Sequence, residues 1–150
     1  GVYGAATGTA GVYGVYCSGD GGYSGTWGAV SDQKFKENVQ PLTGALDKVM
    51  LLQPKTYTMK RQEYDFMNFS AGTQLGFIAQ EVEVAAREVG FDFPGIDIPK
   101  NENETYSLRY TDFIMPLIQS VKEQQSQIET LQQENQELKL LLQQILNKLN

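Results

Sequence analysis

A 3-4 spaced apolar stripe runs from Ile114 to the last residues of the chain and constrains everything upstream of it. One set reads Ile114, Val121, Ile128, Asn135, Leu142, Leu149, and the set three residues on reads Leu117, Gln124, Leu131, Leu138, Ile145. These are the a and d positions of about five heptads. A stripe so narrow and long cannot be covered by the helix that carries it, so other helices must cover it. Leu at d with Ile or Val at a favours two strands, whereas Leu142 and Leu149 at a with Ile145 at d favour three or four. Gln124 and Asn135 are polar layers in the seam. Either Asn135 fixes register and strand number at a cost in stability, or these layers are local sequence noise. Glu134 at g and Lys139 at the next e are placed for an interchain pair in a parallel bundle. Such a pair selects orientation and does not hold the bundle together, since surface ion pairs contribute only about 0.2–1 kcal/mol.

Composition narrows the chemistry. With 150 residues, 41% hydrophobic and 20% charged, the chain supports one modest core plus extended elements and excludes two large domains. A net charge of -6 argues against nucleic acid or an anionic membrane as the main partner, because both need clustered Lys and Arg. There is no histidine, which removes the commonest general base and metal ligand, and no metal or other cofactor is expected. Cys17 is the single cysteine and has no intrachain partner. No run of 18 apolar residues marks a membrane span. A chain opening on Gly1 without Met reads as an excised piece, so the lack of a visible leader carries little weight.

Three zones follow. In residues 1–30 the tetrapeptide Gly-Val-Tyr-Gly occurs at Gly1–Gly4 and again at Gly11–Gly14, and Gly/aromatic character continues to Trp27. Val-Tyr pairs are strand formers that want a partner surface, so repeated β-structured fibre units explain the segment better than a flexible linker does. Residues 31–113 read as a small mixed domain. A helix is expected over Pro41–Leu52 with Thr43 as N-cap, then a strand at Lys55–Met59 after Pro54. A turn around Asn68, Ser70 and Gly72 leads to a return strand at Gln74–Ile78, and a helix over Ala79–Val89 stops before Gly90. Phe91–Asn103 reads as a loop and Thr105–Leu108 as a short strand, with Tyr57, Phe77 and Tyr110 in the core. The long helix occupies 114–150, capped by Thr111 or Asp112, with Pro116 near its start where a missing N–H costs least. The fold class is therefore α+β ending in a parallel coiled coil.

One stretch can carry chemistry: Ser31-Asp32-Gln33-Lys34-Phe35-Lys36-Glu37-Asn38-Val39. Serine without histidine acts as a nucleophile if a neutral lysine accepts its proton. Five residues apart, Ser31 and Lys36 would stand about 140° apart on a continuous α-helix. They meet only across a turn, at an extended-to-helix bend, or between chains. A solvated Ser-Asp N-cap ahead of a charged stretch explains the same residues.

Ser31-Asp32-x-x-x-Lys36-Glu37-Asn38-Val39 closely resembles the opening motif of the C-terminal intramolecular chaperone domain of phage endosialidases and tail fibres, a domain also found in self-cleaving myelin regulatory factors. Further segments agree in order: Leu46-Asp47-Lys48-Val49, Gln53-Pro54-Lys55-Thr56-Tyr57, Leu75-Gly76-Phe77-Ile78-Ala79-Gln80-Glu81-Val82, Tyr106-Ser107-Leu108-Arg109-Tyr110, and Glu123-Gln124-Gln125. The resemblance runs from Ser31 to the C-terminus, and the upstream segment resembles the end of a β-structured stalk. It implies a homotrimer that aligns the upstream stalk of its own polypeptide and then releases itself by autoproteolysis. Ser31 would be the nucleophile and Lys36 the base, with the scissile bond at Ser31–Asp32 or, second, Val30–Ser31. The implied setting is a virion tail fibre or a prophage or bacterial surface fibre, folded in the host cytoplasm. Competing readings are a permanent, non-cleaving trimerisation cap, a receptor-binding tip and a general coiled-coil scaffold.

Overall fold

The computed structural model describes residues 22–26, 28–90, 93, 95–102 and 104–149. The fold is mixed α+β, with short antiparallel hairpins and a long C-terminal helix. It divides into two compact units, each assembled from separate stretches of chain. The Gly-Val-Tyr-Gly repeats lie outside the described residues, and the described part of 22–30 is exposed coil.

The first unit takes in the described residues up to Pro41, with Gln53–Val84 and Ile96–Leu108. Strand β1 (Lys55–Thr58) pairs antiparallel with β2 (Thr73–Gly76), Tyr57 opposite Gln74. Its start follows from Pro54, which drives the residue before it into extended backbone. Lys55 and Tyr57 are half-buried while Thr56 and Thr58 face solvent, the period of two that a one-sided sheet requires. The connection is longer than a tight turn and carries a 3-10 turn at Asp65–Met67, with Asn68 in the left-handed region at φ 51°. Lys55 Nζ lies 3.1 Å from Glu81 Oε2, linking β1 to the first turn of helix α2 (Ala79–Glu88). A second hairpin pairs β3 (Ile96–Asp97) with β4 (Ser107–Leu108), and Ser107 Oγ donates to Asp97 Oδ2 at 3.1 Å. The stretch expected to be loop throughout Phe91–Asn103 thus contains a strand. Two residues are too few to show periodicity, and the partner strand decides.

The second unit comprises Leu42–Leu52, Ala85–Gly95 and Arg109 onward. Helix α1 (Ala45–Met50) packs on helix α3 (Ile114–Leu149), 36 residues or about 54 Å long. Thr43 is not the N-cap of α1. That position falls on Gly44, which has φ 61° and no capping side chain. The free backbone donors are satisfied from α3 instead: Ala45 N donates to Glu123 Oε1 at 3.3 Å and Leu46 N to Oε2 at 2.8 Å. Gln119 Nε2 donates to the same carboxylate at 3.1 Å. A carboxylate replaces the missing cap because helix N-termini present unpaired N–H groups and positive dipole. Thr111 and Asp112 do not cap α3 either. A 3-10 turn at Tyr110–Phe113 runs directly into it, and Asp112 Oδ2 accepts from Arg109 Nε at 3.1 Å. Tyr57 and Phe77 are half-buried, but Tyr110 is exposed, its ring tilted against Phe113 at 5.9 Å.

Among the described residues the buried hydrophobic side chains are Ala45, Val82 and Ala85, and no large side chain is fully buried. That is little core for a chain of this length.

Glu123 predicts an acid response. The Leu46 amide, then Gln119, hold its carboxyl below the usual 4.5, with the Ala45 and Gly44 amides adding to outweigh desolvation. Its folded value is depressed, so its stabilisation is complete above the unfolded value and is lost as pH falls through the folded one. The protection of the Leu46 amide against hydrogen exchange, relative to its intrinsic rate at each pH, should fall as acid takes the solution below 4.5 and through the depressed folded value. In Glu123→Gln that protection should be roughly tenfold weaker at neutral pH, the scale of a lost helix cap, and no longer dependent on acid. Unchanged protection in the variant would contradict the capping role.

Candidate functional site

Residues 31–36 fold into a closed turn. Asp32 is extended (φ -65°, ψ 135°), Gln33–Phe35 form one 3-10 turn, and Lys36 is extended again (φ -117°, ψ 134°). Phe35 N donates to Asp32 O at 3.1 Å, and Lys36 N to Gln33 O at 3.0 Å. The chain therefore leaves the turn beside the point where it entered. Asp32 is there because its side chain caps the turn, accepting from Lys34 N at 3.0 Å through Oδ1.

The two predicted reacting residues flank this turn and meet: Lys36 Nζ donates to Ser31 Oγ at 2.8 Å. The α-helical separation that would keep them apart does not arise, since tight 3-10 geometry followed by extended backbone brings the lysine stem back over the serine. The Asp32 carboxylate is engaged by Lys34, whose Nζ lies 3.4 Å from Oδ2 and 4.9 Å above the Phe35 ring. Lys36 thus faces the hydroxyl with no carboxylate contact of its own in the turn. In the ammonium form, Nζ donates to the hydroxyl. Once the lysine has lost its proton, the same contact runs in reverse and Nζ accepts from Oγ–H. Both residues are exposed, whereas a lysine works as a base only when desolvation disfavours its charge.

The second predicted feature, the seam, is equally accessible. Its apolar members range from 41% exposed at Ile128 to 78% at Leu149. Gln124 and Asn135 are exposed as well, and Asn135 Nδ2 turns back to its own helix at Leu131 O, 2.8 Å away. The buried and half-buried residues of α3 lie elsewhere around the helix: Pro116 and Glu123 at c, Gln119 at f and Ser120 at g. Ser120, 3% exposed, donates to Pro116 O at 2.6 Å. Helix α1 therefore occupies the side of α3 away from a and d.

Sequence reasoning passed over Glu123, which enters only within a motif, whereas the Ser-Asp N-cap reading is matched at Asp32, whose side chain caps the turn. A glycine in front of a helix without Ser, Thr or Asp at the N-cap was the available sign that an acceptor had to come from elsewhere. Among the described residues, no group of three or more His, Cys, Asp or Glu could hold a metal ion, and no helix is long and apolar enough to cross a membrane.

Residues 31–91 match the family model described as chaperone of endosialidase. That match starts at Ser31 and covers the turn, both partners of the β1–β2 hairpin, α1 and α2. This segment is thus similar to the chaperone domain of endosialidases, in line with the resemblance its motifs carry. No curated protein matches the chain significantly.

If Asp32 shapes the turn, Asp32→Ala should raise hydrogen exchange at the Lys34 amide by roughly tenfold and abolish the Overhauser contact between the Ser31 and Lys36 side chains. Asp32→Asn, which can cap equally well, should preserve both. Loss in both variants would contradict capping as the cause.

Proposed function

We propose that this chain is an intramolecular chaperone that assembles as a homotrimer through α3, aligns the β-structured stalk upstream of it, and then cuts itself free at Ser31. The observation that carries the reading is the open seam. The chain's own packing takes the c, f and g side of α3 and leaves about five heptads of apolar a and d residues in water. Burial between copies is the ordinary remedy for such a stripe, and the scarcity of internal core points the same way. The chaperone family match supports the folding role.

The release step rests on the 2.8 Å contact between Lys36 Nζ and Ser31 Oγ and on the family's peptidase name. Neutral Lys36 takes the Oγ proton as Oγ adds to the scissile carbonyl. The proton passes to the departing amine, the peptide C–N bond breaks, and an ester remains. Water, deprotonated by Lys36, then cleaves the ester and restores the serine. Connectivity separates the two candidate bonds. Within one chain Oγ reaches the Val30 carbonyl carbon through a five-membered ring, but its own carbonyl only through a strained four-membered one. Cutting Ser31–Asp32 therefore calls for the hydroxyl of a neighbouring copy. Val30, Phe35 and Val39, close to the pair in sequence, are exposed apolar side chains that a neighbouring copy would cover, which would also desolvate the lysine. Removing the aligning domain after assembly makes the product kinetically persistent, because interwound strands assemble slowly.

A second reading, a permanent cap, keeps the trimer and lacks the cut. Electrophoresis of a chain carrying its natural upstream stalk separates the two. The wild-type chain should yield a fragment whose mass identifies the bond. Ser31→Ala should yield none, and Lys36→Ala should cut about 10²–10⁴-fold more slowly. Lys36→Arg should also remain whole, since it keeps charge without a base. Equal fragmentation in all four would sink the dyad; an uncut wild-type chain with a correctly assembled stalk would establish the permanent cap.

A further inference from the structure

We propose that copies of this chain first meet at the C-terminal tip of α3, residues 138–149, and zip from there towards the N-terminus. The inference rests on the homotrimer reading and assigns the surface where association begins; the partner is a second and third copy of this chain.

The seam is not uniform. Both polar layers, Gln124 and Asn135, precede Leu138, and from there the a and d layers are apolar without a break: Leu138, Leu142, Ile145, Leu149. The flanks change along the helix too. In a parallel, in-register bundle a g residue faces the e residue five positions on in the neighbouring chain. Beyond Ser120, which is buried within its own chain, those pairs read Gln127 with Gln132, Glu134 with Lys139, and finally Leu141 with Leu146. The order is polar, oppositely charged, apolar. Leu141 is 53% and Leu146 59% exposed in the single chain. At the tip the apolar stripe includes both flanks over four unbroken a and d layers. At the other end Ile118 at e is the flank residue that joins the three layers Ile114, Leu117 and Val121 before the polar Gln124, so the longer apolar run is removed from water at the tip.

The same offset identifies the occupant. Glu134 and Lys139 complement each other only in register. A slip of one heptad would set Leu141 against Lys139 and Glu134 against Gln132, losing the apolar and the charged pair together. Every described residue from Gln124 to Leu149 is exposed, so the tip waits on no other packing within its own chain. Local helix forms in about a microsecond, well before distant segments pair. The tip is thus available for encounter while the hairpins are still forming. Gln124 and Asn135 then close behind a contact already made, which lets them test register without delaying the first association.

The test is refolding of the whole chain by dilution from urea, following helicity at several chain concentrations. Leu141→Gln with Leu146→Gln, which leaves a and d intact, should slow the concentration-dependent phase about tenfold or more. Leu141→Ile with Leu146→Ile should keep the wild-type rate. Leu117→Ala with Val121→Ala, at the other end of the seam, should leave association within about twofold and speed dissociation instead. Equal slowing at both ends, greater slowing at the Leu117 end, or no slowing in either would overturn nucleation at the tip while leaving the trimer standing. A wild-type refolding rate independent of concentration would overturn the trimer and the nucleus together.

Discussion

Helix α3 has two sides, and among the described residues the chain covers only one of them. Glu123, Ser120, Gln119 and Pro116 lie on the side that receives α1, while Ile114, Leu117, Val121 and their successors stay in water. The carboxylate of Glu123 does on α1 what a serine would ordinarily do: it accepts the N–H groups at a helix start whose own residue is a glycine. This fixes which face of the long helix is spent inside the chain. A residue exchange that rotated α1 around α3 would consume the seam. The proposed assembly therefore depends on an intrachain hydrogen bond pair far from the a and d positions.

The candidate site obeys a similar economy. A single 3-10 turn, capped by Asp32, positions serine and lysine. What the turn leaves undone is desolvation, because both groups face water. On the proposed reading, geometry is built into each chain and dryness is supplied by its neighbours. Self-release would then follow assembly for a chemical reason, since the base gains its function only where copies meet.

Local patterns made part of this legible in the residues. The heptads of α3, Pro54 ahead of β1, and Gly90 closing α2 in the left-handed region are short-range signals, and each is matched by the structure. Features decided at a distance were not legible. The cap of α1 comes from a side chain 77 to 78 positions along the chain, which no window around Thr43 can reveal. Strand β3 exists because β4 pairs with it, not because Ile96 and Asp97 are strand formers as a pair. Ser31 and Lys36 were recognisable as a pair from motif likeness and Asp32 as part of a cap, but that the capped turn is a single 3-10 turn that brings the two together was not legible.

Sedimentation equilibrium of the native chain bears most directly on the account, because everything rests on the seam being buried between copies. At micromolar loading a particle of three times the 16.7 kDa chain mass is predicted. Replacing Leu131 and Leu138 with Glu, both at d, should return it to the single-chain mass. A wild-type chain that sediments as a well-behaved monomer would contradict the account at its root.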